Sequence, residues 1–135
     1  MPSVRNSFGG MHRSRLSTLL IDVPGEEAQA ASAFWGAALG VPATPVPGEE
    51  QYISLPGAVQ HLTLAVQALE DGDARYHLDI ETDDVAAETA RLVGLGAVEV
   101  GHWLECRTLR VPGGLLICVI PVHSDDFAAH ARVWE

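Results

Sequence analysis

One order of local patterns occurs twice in this chain: an alternating apolar run, a helix-period run closed by Leu-Gly, then short alternating runs. In the first copy "RLSTLLIDVP" (15–24) puts Leu19, Ile21 and Val23 on one face, as a half-buried strand requires. Pro24-Gly25 breaks that run. Glu26 and Glu27 then suit the positive end of a helix dipole, and Ala28, Ala31, Trp35 and Ala38 recur at helical spacing up to Gly40. After the loop "VPATPVPGEE" the strands "QYISL" and "QHLTLAVQAL" are predicted.

The second copy follows a polar hinge, "EDGDA" at 70–74. "RYHLDIET" alternates, with Leu78, Ile80 and Thr82 on one face and His77, Asp79 and Glu81 on the other. Asp83 or Asp84 caps a helix carrying Val85, Thr89 and Leu92, which stops at Gly96. "AVEVG", "WLECRTLRV" and "LLICVIPV" read as strands, and "SDDFAAHARVW" as an amphipathic helix through Phe127, Ala131 and Trp134. Superposing "LIDVPGEE" on "DIETDDVA" requires a helix entry about two residues longer in the first copy. The duplicated order predicts an α+β fold of two matched units, with helices near 26–39 and 84–95. The boundaries are a loose N-terminal arm at 1–14 and a single domain at 15–135. Within it lie module one at 15–69, module two at 74–122 and a C-terminal helix at 124–134.

Charge narrows the partners. Eight Arg and no Lys face 18 acids, a formal net charge of −10, which repels nucleic acid and anionic membrane and suits neutral or cationic ligands. No apolar run approaches the length of a membrane span. Residues 1–14 lack the apolar stretch of a signal peptide, so a cytoplasmic location with reduced thiols is expected. Cys106 and Cys118 flank the turn "VPGG": a two-residue loop sets them on opposite faces, whereas a three-residue loop makes them diagonal neighbours on one face.

"RYHLDIETDD", its helix ending in "LGA", and the Pro-Gly-Gly hairpin into "LLICVI" together resemble the vicinal oxygen chelate superfamily. That is the group of glyoxalase I, bleomycin-resistance proteins and extradiol dioxygenases. "AFWGAALG" at 33–40 is similar to its first-helix signature, and the resemblance covers residues 15–122. It implies paired βαβββ modules whose mixed sheet curls into a cup with the helices outside. Metal-using members carry ligands on the first and last strands of each module. Carried over by alternation, those four slots read Thr18, Gln67, His77 and Cys118.

Of these, His77 is a good ligand for a divalent cation, Gln67 is a weak one, Cys118 is a soft thiol, and Thr18 is rarely a ligand. Asp79 shares the inward face with His77, so the two can act as a general base or as a receptor for a cation. A solvated rim is the competing reading of this acidic strand, and Glu81 and Asp83 read as rim and cap. Phe34 and Trp35 read as core, and His61 and His102 as exposed strand-end residues.

The resemblance therefore implies a small-molecule-binding protein whose cup is lined by Thr18, Gln67, His77, Asp79 and Cys118. It would hold a polar or cationic ligand in the manner of a bleomycin-resistance protein, with no cofactor and no catalytic metal expected. The alternative is a metal-dependent lyase, isomerase or dioxygenase with His77 as its surest metal ligand, so catalysis itself is left open. A third reading is a partner-binding domain whose cup is filled by its own side chains. A homodimer is expected from the family and from the many short strands with edges to cover.

Overall fold

The structure, a computed structural model, describes residues 11–135. They form two compact units, Thr18–His77 and the residues up to Ser17 together with Leu78–Glu135. The division falls inside the two strands that open the repeats.

The first unit contains most of β1 (His12–Pro24), then α1 (Ala28–Leu39), β2 (Thr44–Val46), β3 (Glu49–Ser54) and β4 (Thr63–Leu69). Its strand order is β2-β3-β4-β1, with β1 parallel to β4 and the other neighbours antiparallel. Alternation works as predicted: Ile21, Leu64 and Val66 are buried with Leu55, and Leu19, Val23, Ala31 and Trp35 pack against them. The longer helix entry is a single 3-10 turn, Gly25–Glu27, between β1 and α1. Gly40 ends α1 in the left-handed conformation at φ 71°, which a side chain would strain.

Four details differ from expectation here. Part of the predicted loop pairs as β2, because Thr44 and Pro45 find β3 partners in Ser54 and Ile53. His61 lies in a turn at φ 61° rather than in a strand, so β4 begins at Thr63. Phe34 is 63% exposed instead of core, because Trp35 takes the packed position and Phe34 meets only its edge. Residues 12–14, expected as a loose arm, are strand.

The second unit repeats the arrangement with β5 (Arg75–Thr82), α2 (Val85–Gly94), β6 (Val98–Trp103), β7 (Cys106–Arg110) and β8 (Leu116–Pro121). Its order is β5-β8-β7-β6, with β5 parallel to β8. Ala97, Leu109, Ile117 and Val119 form the core, with Leu78, Ile80, Val85 and Leu92 packed on it. Asp84 caps α2, its carboxylate accepting from the Ala87 amide at 3.0 Å.

The expected C-terminal helix at 124–134 is cut to α3 (Phe127–His130), followed by β9 (Arg132–Trp134). The reason is a better alternative for the last residues. β9 pairs antiparallel with His12–Ser14 of β1, and the Trp134 indole donates to Ser14 Oγ at 2.9 Å. That pairing also turns residues 12–14 from arm into strand; the rest of the expected arm, 1–10, lies outside the described residues. No described helix is long and apolar enough to cross a membrane.

Candidate functional site

In the first unit the face of the sheet turned away from α1 carries Thr18, Leu20 and Asp22 on β1, opposite Thr63, Ala65 and Gln67 on β4. Packing of Ile21, Leu64 and Val66 on the helix side fixes this assignment. Asp22 is buried, and its Oδ2 accepts a 2.6 Å hydrogen bond from His77 Nδ1. Facing a carboxylate, Nδ1 is the protonated nitrogen, so the ring is held in one orientation with Nε2 as its basic nitrogen. Arg75, half exposed, places Nε 3.4 Å from the same carboxylate oxygen. The other oxygen, Oδ1, is buried and has no hydrogen-bond partner among the described residues. Beside it in the ladder, Gln67 donates through Nε2 to the Tyr52 hydroxyl at 3.3 Å.

Asp22 is the residue that sequence reasoning missed. The signal was present: the alternation that assigns Thr18 and Leu20 to this face reaches Asp22 at its next step. Thr18, by contrast, sits four residues back along β1, roughly 13 Å away at the rise of a strand. The two predicted residues of the first module are thus not gathered. Gln67 lies by Asp22, and Thr18 does not.

His77 and Asp79 share one face of β5, two residues apart on an unbroken strand. Asp79 is aligned with Cys118 in the parallel ladder, and Cys118 Sγ lies 3.7 Å from Thr108 Oγ1 on β7. Of the five predicted residues, Asp79 and Cys118 meet within the second unit as ladder partners. His77 belongs to the first unit with Asp22, whose bond to it is the kind of outer contact that orients a ligating imidazole.

Glu81, the next residue on this face, is not a solvated rim. It is 0% exposed, and its carboxylate accepts from the backbone amides of His123 and Ser124 at 2.9 and 3.1 Å and from the Ser124 hydroxyl. Arg15 Nε stands 3.6 Å from it. Asp83 accepts from the Arg13 backbone and side chain at 2.7 and 2.9 Å, and the cap itself is Asp84.

Comparison with known proteins matches this architecture. Residues 18–120 match the family described as "Glyoxalase-like domain". Methylmalonyl-CoA epimerase from Mycobacterium tuberculosis superposes with a TM-score of 0.53 at 17% identity, over 84% of this chain and 91% of that one. A Streptomyces coelicolor methylmalonyl-CoA epimerase variant in complex with 2-nitronate-propionyl-CoA gives 0.52 at 16%, over 82% and 98%. A xylose isomerase-like TIM barrel/4-hydroxyphenylpyruvate dioxygenase fusion protein gives 0.58 at 12%, over 99% of this chain and 23% of that one. No curated protein sequence matches. At these identities the superpositions speak for fold alone. The family match over most of the chain and the duplicated βαβββ order agree, and the chain belongs to the glyoxalase-like domain family of the vicinal oxygen chelate superfamily.

Proposed function

We propose that this protein binds a small polar or cationic molecule at Asp22 and His77 without a catalytic metal, as a bleomycin-resistance-like binder does. The observation that carries the reading is the Asp22 Oδ1, buried and without a hydrogen-bond partner among the described residues. Leaving such an oxygen unsatisfied costs about 1–3 kcal/mol, which a ligand donor such as an ammonium, amide or hydroxyl would recover. The net charge of −10 favours a cation at that position. Thr18 and Gln67 add no negative charge to this unit's face, and the Gln67 amide already bonds Tyr52. Isothermal titration calorimetry with bleomycin and with simple organic ammonium ions tests the reading. Asp22→Asn should weaken binding about 10- to 100-fold, the worth of a charged hydrogen bond. Equal affinity in the variant, or no binding of any cationic probe, would sink it.

A second reading has its own observation, the 2.6 Å bond by which Asp22 orients the His77 imidazole. A divalent ion held by His77 would supply a Lewis acid that polarises a substrate oxygen, in a lyase, isomerase or dioxygenase. His77 would then bind through Nε2, with Asp22 holding its tautomer. Elemental analysis of protein purified without chelator separates the readings: near-stoichiometric metal that disappears in His77→Ala promotes the enzyme. Homodimerisation and a cytoplasmic location complete the proposal. The support for pairing is the edge position of β2 and β6 in their units' strand orders. A strictly monomeric mass in light scattering would remove it.

A further inference from the structure

The hairpin joining β7 to β8 decides how the two cysteines stand. Arg110 pairs with Leu116, and the Val111 amide bonds the Leu115 carbonyl at 2.9 Å, so the loop is the three residues Pro112-Gly113-Gly114. Gly113 and Gly114 take φ of 100° and 97°, which the turn demands and side chains would resist. With this loop Thr108 is opposite Cys118, and their side chains touch. Cys106, two residues from Thr108, projects to the same face and is the diagonal neighbour of Cys118. Both are unbridged thiols of intermediate exposure.

A diagonal pair is a poor disulfide. Its Cα atoms stand roughly 7–8 Å apart, beyond the usual span of about 4.4–6.8 Å. An ion bound to both sulfurs asks for less. With metal–sulfur bonds of about 2.3 Å, the sulfurs need only come within roughly 3.8–4.6 Å, depending on the angle at the metal.

We propose that Cys106 and Cys118 together bind one soft, thiophilic cation on the helix-free face of the second unit. Thiolate donors set the preference: zinc, copper(I) and cadmium over magnesium, calcium or manganese. The inference concerns β7 and β8 and does not depend on the role of Asp22.

Cadmium chloride titrated into the reduced full chain, followed by the ultraviolet thiolate-to-cadmium band, is the test. One equivalent should bind, and magnesium at the same concentration should produce no competition. Cys106→Ser and Cys118→Ser should each weaken cadmium binding roughly tenfold or more and halve the band. As a check free of variants, one cadmium should protect both cysteines of the native protein from iodoacetamide, read by peptide mass. Absence of the band would overturn the proposal. So would a full band in Cys106→Ser or protection of Cys118 alone, since either leaves Cys106 out of the site. Calorimetry with the ammonium probes of the preceding section should be unchanged in Cys106→Ser, so the two proposals fail separately.

Discussion

The two halves share one strand order and one helix placement, yet they are held by different physics. In Thr18–His77 the helix is Ala-rich and uncharged, and it lies on an apolar cluster of Ile21, Leu55, Leu64 and Val66. Asp22 is the one buried ionisable group described there. In the other half His12, Glu81 and Glu88 are all buried. Glu88, on α2, meets His12 Nε2 at 2.8 Å and accepts from Arg91 Nε and Nη2 at 2.9 and 2.8 Å. Arg91 in turn lies over the Trp134 ring, 3.8 Å from its centre. The buried acids thus fasten the segments that have no counterpart in the repeat: the start of β1, the turn at 123–124, and β9. A duplicated fold needs only apolar patterning to form each module, but appended segments are fixed here by charge and hydrogen bonds.

The largest break in this contrast should come from Glu81→Ala. It leaves two amides and a hydroxyl without their acceptor and takes one of two carboxylates from beside Arg15, which keeps Asp126, and removal of one member of such a buried set costs about 3–5 kcal/mol. Chemical denaturation should show a loss of that size, and a loss under 1 kcal/mol would mean the network is dispensable, roughly the worth of a surface pair. Gly36→Ala probes the apolar half. A Cβ there would stand 2.9 Å from the Val41 carbonyl oxygen, a backbone atom. Overpacking of about 1–3 kcal/mol opposes a helix-propensity gain of about 1 kcal/mol, so net destabilisation of roughly 1 kcal/mol is expected by the same measurement. A more stable variant would show that the loop at 41–43 yields freely.

The smallest readout is a pH slope. Burial pushes the Glu88 carboxyl up, but hydrogen bonds from Arg91, His12 and Ser14 and the Arg91 charge outweigh it and leave it below its ordinary value. A lowered carboxylate stabilises fully above its unfolded value, about 4.3, and loses that contribution as pH falls through the folded one. The difference in melting temperature between the wild type and Glu88→Gln should therefore be level from neutrality to about pH 5 and shrink below about pH 4. A difference that persists undiminished into acid would deny Glu88 this role.

What could be read from the sequence was what neighbours in the chain determine. Period-two alternation assigned Ile21, Leu64, Val66, Leu78 and Ile80 to their helices, and Gly40 and Gly96 marked where those helices stop. The loop between Cys106 and Cys118 left two geometries open, and its length in the ladder selected one. Distant pairing was not legible. Nothing local in "ARVWE" announces a strand, since β9 exists only because His12–Ser14 offers a ladder. Glu81 and Glu88 look like surface acids until partners 42 and 76 positions away bury them. Around the candidate site, alternation made the shared face of His77 and Asp79 legible, whereas the bond of Asp22 depends on an imidazole 55 positions ahead.

The ladder between β1 and β9 also sets a timetable. Thr18–His77 is one continuous stretch, so α1, β2, β3 and β4 have all been made once residue 77 has emerged from the ribosome. The second half has no such freedom. Its first strand segment, His12–Ser14, is made about 120 residues before its partner Arg132–Trp134. Contacts of such sequence separation are slow to close. During synthesis residues 12–14 therefore lack this ladder partner until Arg132–Trp134 has been made, an interval in which they are open to pairing with another strand.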